Sequence, residues 1–355
     1  MENYPARYWR KLADGKIRCE LCPRLCRLND GQRGLCFVRQ RHGERLFLKT
    51  YGRSSGFCID PVEKKPLNHF YPGTPVLSFG TTGCNLSCKF CQNWDISRAD
   101  QWDRSIERAM PDEIAETALK FRCKSVALTY NDPIVFLEYG LDVAAECRKR
   151  GIKVVAVTSG FLCEKPREEF FSGIDAANVD LKAFSPSFYR RLTGGDLQPV
   201  LETLVYLRRS TDVWLEITNL LIPGENDSAD EVSALSEWVL TELGADTPLH
   251  FSAFHPDYKM AHIPATPVGT LIEARNIALE RGLRYVYTGN VRYPPGDTTF
   301  CPACGKTLIE RDRYRLSVYN VTAEGRCNRC DALLAGHFDA EPGTWGAKRK
   351  PIRIH

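Results

Sequence analysis

The sequence predicts an α/β protein whose body is a partial, TIM-like barrel of six or seven βα units, and three observations lead there. From about residue 74 to 290, short β-branched runs alternate with longer helical patterns, the signature of parallel βαβ units. At 355 residues and 43% hydrophobic, the chain can bury one such domain of roughly 250 residues and still carry appendages. Eleven of the fifteen cysteines fall in three tight groups, one inside the alternating region and one on each flank. The expected division is a Cys-rich segment over 1–73, the partial barrel over 74–296, and a zinc-ribbon-like four-Cys knuckle with a tail over 297–355.

The strands expected in order are VLSFG from Val76, SVALTY from Ser125, KVVAVTS from Lys153, AANVDLK from Ala176, VWLEITNLL from Val213, LHFSAF from Leu249 and YVYTG from Tyr285. Helical patterns lie between them. PDEIAETALKF from Pro111 opens with a proline and an acidic first turn, and DSAD leads into EVSALSEWVLTELG.

Formal net charge is +4, spread along the chain rather than gathered into a basic arm, so nucleic acid is not the leading partner. No apolar run approaches the roughly 20 residues of a membrane helix, and MENYPARYWRKLADGK lacks the apolar core of a signal peptide. A cytoplasmic protein with no membrane partner is expected. In that compartment disulfides are disfavoured, so grouped cysteines point to metal. The scattered Cys58, Cys123, Cys147 and Cys163 read as small buried hydrophobes.

The central group sits in SFGTTGCNLSCKFCQNW, where Cys84, Cys88 and Cys91 follow the first barrel strand in CxxxCxxC spacing. Loops after barrel strands face the mouth where active sites form. Three thiolates can hold three irons of a [4Fe-4S] cubane that ordinarily takes four, leaving one iron open to a substrate. A three-Cys zinc site completed by another ligand is the competing arrangement.

Polar residues are expected to converge on the same mouth. Asn131 and Asp132 end the second strand and Ser159 the third. Asp180 with Lys182, and Glu216 with Thr218, share strand faces because residues two apart point the same way. His255 and Asn290 follow later strands. Inward charges are costly unless paired or bound to a ligand, so these are candidate contacts to a polar cofactor. An Asx turn at Asp132 before Pro133, and a simple Asp180–Lys182 ion pair, are the structural alternatives.

On the flanks, Cys301 and Cys304 in CPACG with Cys327 and Cys330 in CNRC make two knuckles at zinc-ribbon spacing. Cys19, Cys22, Cys26 and Cys36 fit no zinc signature cleanly; zinc or a second cluster are both open.

Several runs carry a family resemblance. DPVEKKPLNHFYPG, SFGTTGCNLSCKFCQNWDIS, TYNDP, VTSGF, NVDLKAF, LLIPGEND, HPDYKM and YTGNV resemble the radical S-adenosylmethionine (SAM) enzymes of AmmeMemoRadiSam systems, relatives of pyruvate formate-lyase activating enzyme. Phe90 before the third Cys, followed by Asn93 and Trp94, matches the radical SAM pattern. The resemblance implies a three-quarter (β/α)6 barrel, a [4Fe-4S] cluster on Cys84, Cys88 and Cys91, and SAM, which makes the strand-end residues Asn131, Asp132, Ser159, Asp180, Lys182, Glu216, Thr218 and His255 its candidate contacts. It also implies an electron donor such as flavodoxin or ferredoxin, and a protein or peptide substrate linked to Memo-like or AMMECR-like partners. Glycyl-radical activation is the alternative activity, and a non-catalytic iron-sulfur or zinc scaffold is the alternative from another class. TYNDP stands where many radical SAM proteins carry GGE, and NDP and TSG where this family often shows NEP and TNG.

Overall fold

The computed structural model describes residues 3–98 and 107–354. Its centre is a nine-stranded sheet, whose strands in chain order are β1 (Phe57–Pro61), β2 (Pro75–Phe79), β3 (Ser125–Leu128), β4 (Lys153–Thr158), β5 (Ala176–Asp180), β6 (Trp214–Leu221), β7 (Leu249–Ala253), β8 (Val286–Gly289) and β9 (Lys350–Ile352). Strands β2 to β8 run parallel in sequence order. Six helices connect them: α1 (Pro111–Lys120), α2 (Leu137–Lys149), α3 (Glu164–Ser172), α4 (Gln198–Ser210), α5 (Ala229–Leu243) and α6 (Val268–Glu280). β8 does not pair back to β2, so the barrel is open.

Each element forms for local reasons. The parallel strands are β-branched or alanine-rich and nearly fully buried, as strands covered on both faces must be. α1 starts with Pro111, and Glu113 accepts the Met110 N–H at 2.6 Å. α5 is capped by the Ser228 hydroxyl, which accepts the Glu231 N–H. Cys58, Cys123 and Cys147 are buried as expected, whereas Cys163 is half-buried just ahead of α3.

The flanks are woven into the sheet rather than appended to it. β1, from the segment before residue 74, pairs antiparallel with β2, and β9 from the tail pairs antiparallel with β1. The buried Arg39 side chain meets Glu138 of α2 at 2.5 Å, tying the N-terminal segment to the barrel wall.

Residues 62–74 cross the strand entrances and close the floor. The Asn178 amide donates to the Pro66 carbonyl at 2.8 Å, and Glu216 accepts the backbone N–H groups of Asn68 and His69 at 3.0 and 2.8 Å. A small antiparallel sheet of Thr299–Phe300, Thr307–Asp312 and Arg315–Tyr319 packs beneath. From it, buried Arg311 donates to the Asn68 carbonyl at 2.8 Å. Among the described residues no helix is long and apolar enough to cross a membrane.

Candidate active site

The loop after β2 bears Cys84, Cys88 and Cys91 at the carboxyl end of the sheet, and its backbone is held from several sides. The Asn131 Oδ1 accepts the Thr81 N–H at 2.9 Å, while its Nδ2 donates to the carbonyls of Thr82 and Gly83 at 3.2 and 2.7 Å. Gly83 has φ +84°, and a Cβ there would lie 2.1 Å from the Cys36 carbonyl, so this turn admits glycine only. Farther along, the N–H groups of Ser87 and Lys89 donate to the carbonyls of Thr193 and Leu192, each at 2.8 Å.

All three cysteines are half-buried, free thiols on one loop. Burial pushes the Cys84 thiol well up, with Asp132 and the other two sulfurs adding to it. Burial likewise pushes Cys88 up to about 12, partly offset by Lys182. Such a pocket keeps bare thiols protonated; a bound cation would reverse that by favouring thiolates.

Around this loop the structure gathers most, though not all, of the expected polar residues. Asp132 is buried and its oxygens are occupied: Oδ1 accepts the Thr158 hydroxyl at 2.9 Å and the Ile134 N–H at 3.1 Å, while Oδ2 accepts the Ser159 N–H at 3.0 Å and the Ser159 hydroxyl. Burial raises its carboxyl pKa against those hydrogen bonds. Asn131 thus ties the end of β3 to the turn before Cys84, and Asp132 ties it to the end of β4. Beside Cys88, Lys182 Nζ sits 3.0 Å from the Asp180 carboxylate. Burial opposes its charge, yet Asp180 and the Cys88 sulfur hold its pKa above the usual lysine value. Thr218, in register with Asp180, has a buried hydroxyl with no hydrogen-bond partner.

Glu216 does not join them. It shares Thr218's face but lies one pleat nearer the start of β6, where it accepts from Asn68, His69, Trp214 and His250. It organises the floor and is not placed to grip a ligand at the mouth. His255 is exposed on the loop after β7, its Nδ1 3.0 Å from the Pro256 carbonyl. Asn290 donates to the Ala253 carbonyl at 3.2 Å.

Sequence reasoning missed Tyr189, whose hydroxyl accepts the Lys182 N–H at 3.1 Å, and Tyr258, whose ring stacks on Trp94 at 5.3 Å. The HPDYKM run carried the signal for Tyr258, since Lys259 N–H also donates to the Lys89 carbonyl at 3.1 Å and docks that rim on the cysteine loop. A cavity of about 500 Å³ opens at the opposite end, among Lys153, Asp175, Val213 and His337. Size alone would favour it, but the grouped thiols and inward charges lie at the mouth.

The C-terminal cysteines form a tighter set. The sulfurs of Cys301 and Cys330 are 3.6 Å apart, those of Cys304 and Cys327 3.8 Å, and all four lie within 4.8 Å of one another. A tetrahedral ion with bonds of about 2.3 Å to sulfur requires sulfur pairs about 3.8 Å apart. The set could hold one metal ion.

Fold and loop together define the class. Residues 79–235 match the family model for the radical SAM superfamily, and the chain belongs to that superfamily as an enzyme; the family implies a [4Fe-4S] cluster and SAM. The likeness runs almost end to end with an uncharacterized protein of Methanocaldococcus jannaschii, 41% identical over 326 residues, covering 92% of this chain and 97% of that one. A pyruvate formate-lyase-activating enzyme of Listeria monocytogenes is 24% identical over 184 residues, covering 48% of this chain and 71% of its own. A probable GTP 3',8-cyclase of Methanococcus vannielii is 23% identical over 251 residues, covering 66% and 80%. Among solved structures, a radical SAM methyltransferase from Sphaerobacter thermophilus shares the fold at 14% identity and a TM-score of 0.50, covering 86% of this chain and 81% of its own.

Proposed function

We propose that Cys84, Cys88 and Cys91 bind three irons of a [4Fe-4S] cluster, leave the fourth iron to SAM, and serve an enzyme of the AmmeMemoRadiSam type acting on a protein or peptide. The supporting observation is three half-buried free thiols on one loop at the mouth, flanked by the Asp180–Lys182 pair and the unpartnered Thr218 hydroxyl. When bound, cluster and SAM supply a 5'-deoxyadenosyl radical that takes a hydrogen atom from the substrate. The chain's own residues prepare that site. Asn131 shapes the turn before Cys84, and Asp132 with Ser159 locks the neighbouring strand ends. Asp180, Lys182 and Thr218 face the space left for SAM's charged and hydroxyl groups, and His255 belongs to the rim that meets the substrate. Cys301, Cys304, Cys327 and Cys330 hold zinc, closing the 297–355 unit under the 74–296 barrel. A flavodoxin- or ferredoxin-type protein supplies the electron, and a Memo-like or AMMECR-like protein is the partner class the family resemblance suggests.

The test is anaerobic reconstitution with iron and sulfide, reduction by dithionite and addition of SAM. The wild type should form 5'-deoxyadenosine and the Cys88→Ala variant should not; equal yields from both would sink the assignment. Glycyl-radical activation is a second reading, favoured by the likeness to the Listeria activating enzyme. Deuterium carried into deoxyadenosine from a labelled backbone glycine, rather than from another position, would select it.

A further inference from the structure

We propose that Cys19, Cys22, Cys26 and Cys36 hold a second [4Fe-4S] cluster, seated directly behind the loop that carries Cys84. This goes beyond the function proposed above and rests on its own four ligands.

The local fold brings the four together. Cys19 ends the strand Ile17–Cys19, and its N–H donates to the Cys26 carbonyl at 2.9 Å, so the chain turns back between them. That turn contains Cys22, whose carbonyl accepts the Leu25 N–H at 3.1 Å, with Leu25 in the left-handed region at φ +46°. Cys36 arrives on the next turn, where Gly34 N–H donates to the Arg39 carbonyl at 2.8 Å. A Cβ on Gly34 would lie 3.6 Å from the Cys36 sulfur and 3.8 Å from that of Cys26. All four cysteines line a single cavity, with Arg24 and Arg39.

Spacing separates a cluster from a single ion. The C-terminal sulfurs crowd within 4.8 Å of one another, as a lone tetrahedral ion demands. Among the described residues no other group of three or more ligands does so, and the N-terminal four are therefore held farther apart. A cubane needs that wider frame, because each thiolate binds a different iron.

Charge points the same way. Four thiolates make such a cluster a net anion in a buried place, where an uncompensated charge is costly. Arg39 on the wall is already matched by Glu138, but Arg24 presents a buried Nη2 that has no hydrogen-bond partner. The Arg24 Nε donates to the Asn85 carbonyl at 3.0 Å, and Asn85 lines the cavity while neighbouring Cys84. With the Cys36 carbonyl pressed against Gly83, the two cysteine groups share a wall of backbone.

The test is the metal content of the full chain purified anaerobically. Two cubanes plus one zinc give about eight irons, eight sulfides and one zinc per chain, whereas zinc in both flanking sites gives about four irons and two zincs. The first result is expected; the second would overturn the proposal. A Cys84→Ala, Cys88→Ala, Cys91→Ala variant should keep about four irons and a paramagnetic reduced state that added SAM leaves unchanged. A Cys22→Ser, Cys26→Ser variant should fall from about eight irons to about four, guarding against misfolding of the first. The two readings fail separately. Eight irons without deoxyadenosine would defeat the function proposed above, and deoxyadenosine from a four-iron, two-zinc protein would defeat this one.

Discussion

Asn131 and Gly83 are joined by a 2.7 Å hydrogen bond, from the Asn131 Nδ2 to the Gly83 carbonyl, across 48 residues of sequence. The same amide group also holds Thr81 N–H, so one side chain from the end of β3 sets the turn that presents Cys84. Replacing Asn131 with Ala strips partners from several buried backbone groups, each worth about 1–3 kcal/mol when left unsatisfied. Asn131→Ala should lower the thermal midpoint and at least halve the iron retained after reconstitution. Wild-type iron content in that variant would refute the role.

Lys182 places a positive charge beside the Cys88 sulfur. A charge pair several ångströms apart at an effective dielectric near 20 interacts by about 2 kcal/mol, on the order of 100 mV for one electron. Lys182→Met should therefore make the mouth cluster harder to reduce, shifting its midpoint downward by a few tens of millivolts or more. Redox titration followed by paramagnetic resonance would read it, and an upward shift would contradict the electrostatics.

His69 is buried under the barrel, its Nδ1 2.7 Å from the Ala335 carbonyl and its Nε2 2.6 Å from the Tyr287 hydroxyl. Those contacts suit a neutral ring, which donates to the carbonyl and accepts from the phenol. Burial lowers its pKa from 6.5 to about 4, against the pull of Glu216. A lowered histidine pKa means stability is full above 6.5 and drains as pH falls toward 4. Between pH 7 and pH 5 the loss should be about 2 kcal/mol. Asp297 works in the opposite sense, its pKa raised to about 7 by burial, so its contribution fades as pH rises from 3.8 through 7. Comparing wild type with His69→Gln isolates the histidine: the stability gap between them should narrow by about 2 kcal/mol on acidification, and a constant gap would dismiss it.

Metal removal from the C-terminal knuckle should loosen the floor as well as the knuckle. Arg311, on the sheet that carries the knuckle, donates to the Asn68 carbonyl, and the Ala335 carbonyl lies against His69. With zinc at this site, as proposed above, a Cys327→Ser variant should lose about one zinc per chain, the complement of a four-thiolate site. Hydrogen exchange at residues 68–73 should then quicken together with 299–335. Exchange confined to 299–335 would show the two regions to be independent.

All seven parallel strands lie where alternating β-branched runs had located them, and the three-Cys loop opens from the end of β2. That much was legible because burial on both faces writes itself into composition. Depth was not. Period-two alternation assigns Glu216 and Thr218 to one face but cannot say which end of β6 each occupies, and Glu216 stands at the floor. Nor could local sequence reveal β1 and β9, which join the sheet through partners recruited from distant segments. The mutual bonding of Asp132, Thr158 and Ser159 was equally hidden, since each alone looked like a free acceptor or donor.

The segment from Pro66 to His69, tied to Asn178 and Glu216, covers the floor of the barrel. At the other end, on the rim of the cysteine loop, Trp94 and Tyr258 stack face to face. On the function proposed above, a peptide substrate would therefore approach from the rim, past two aromatic rings.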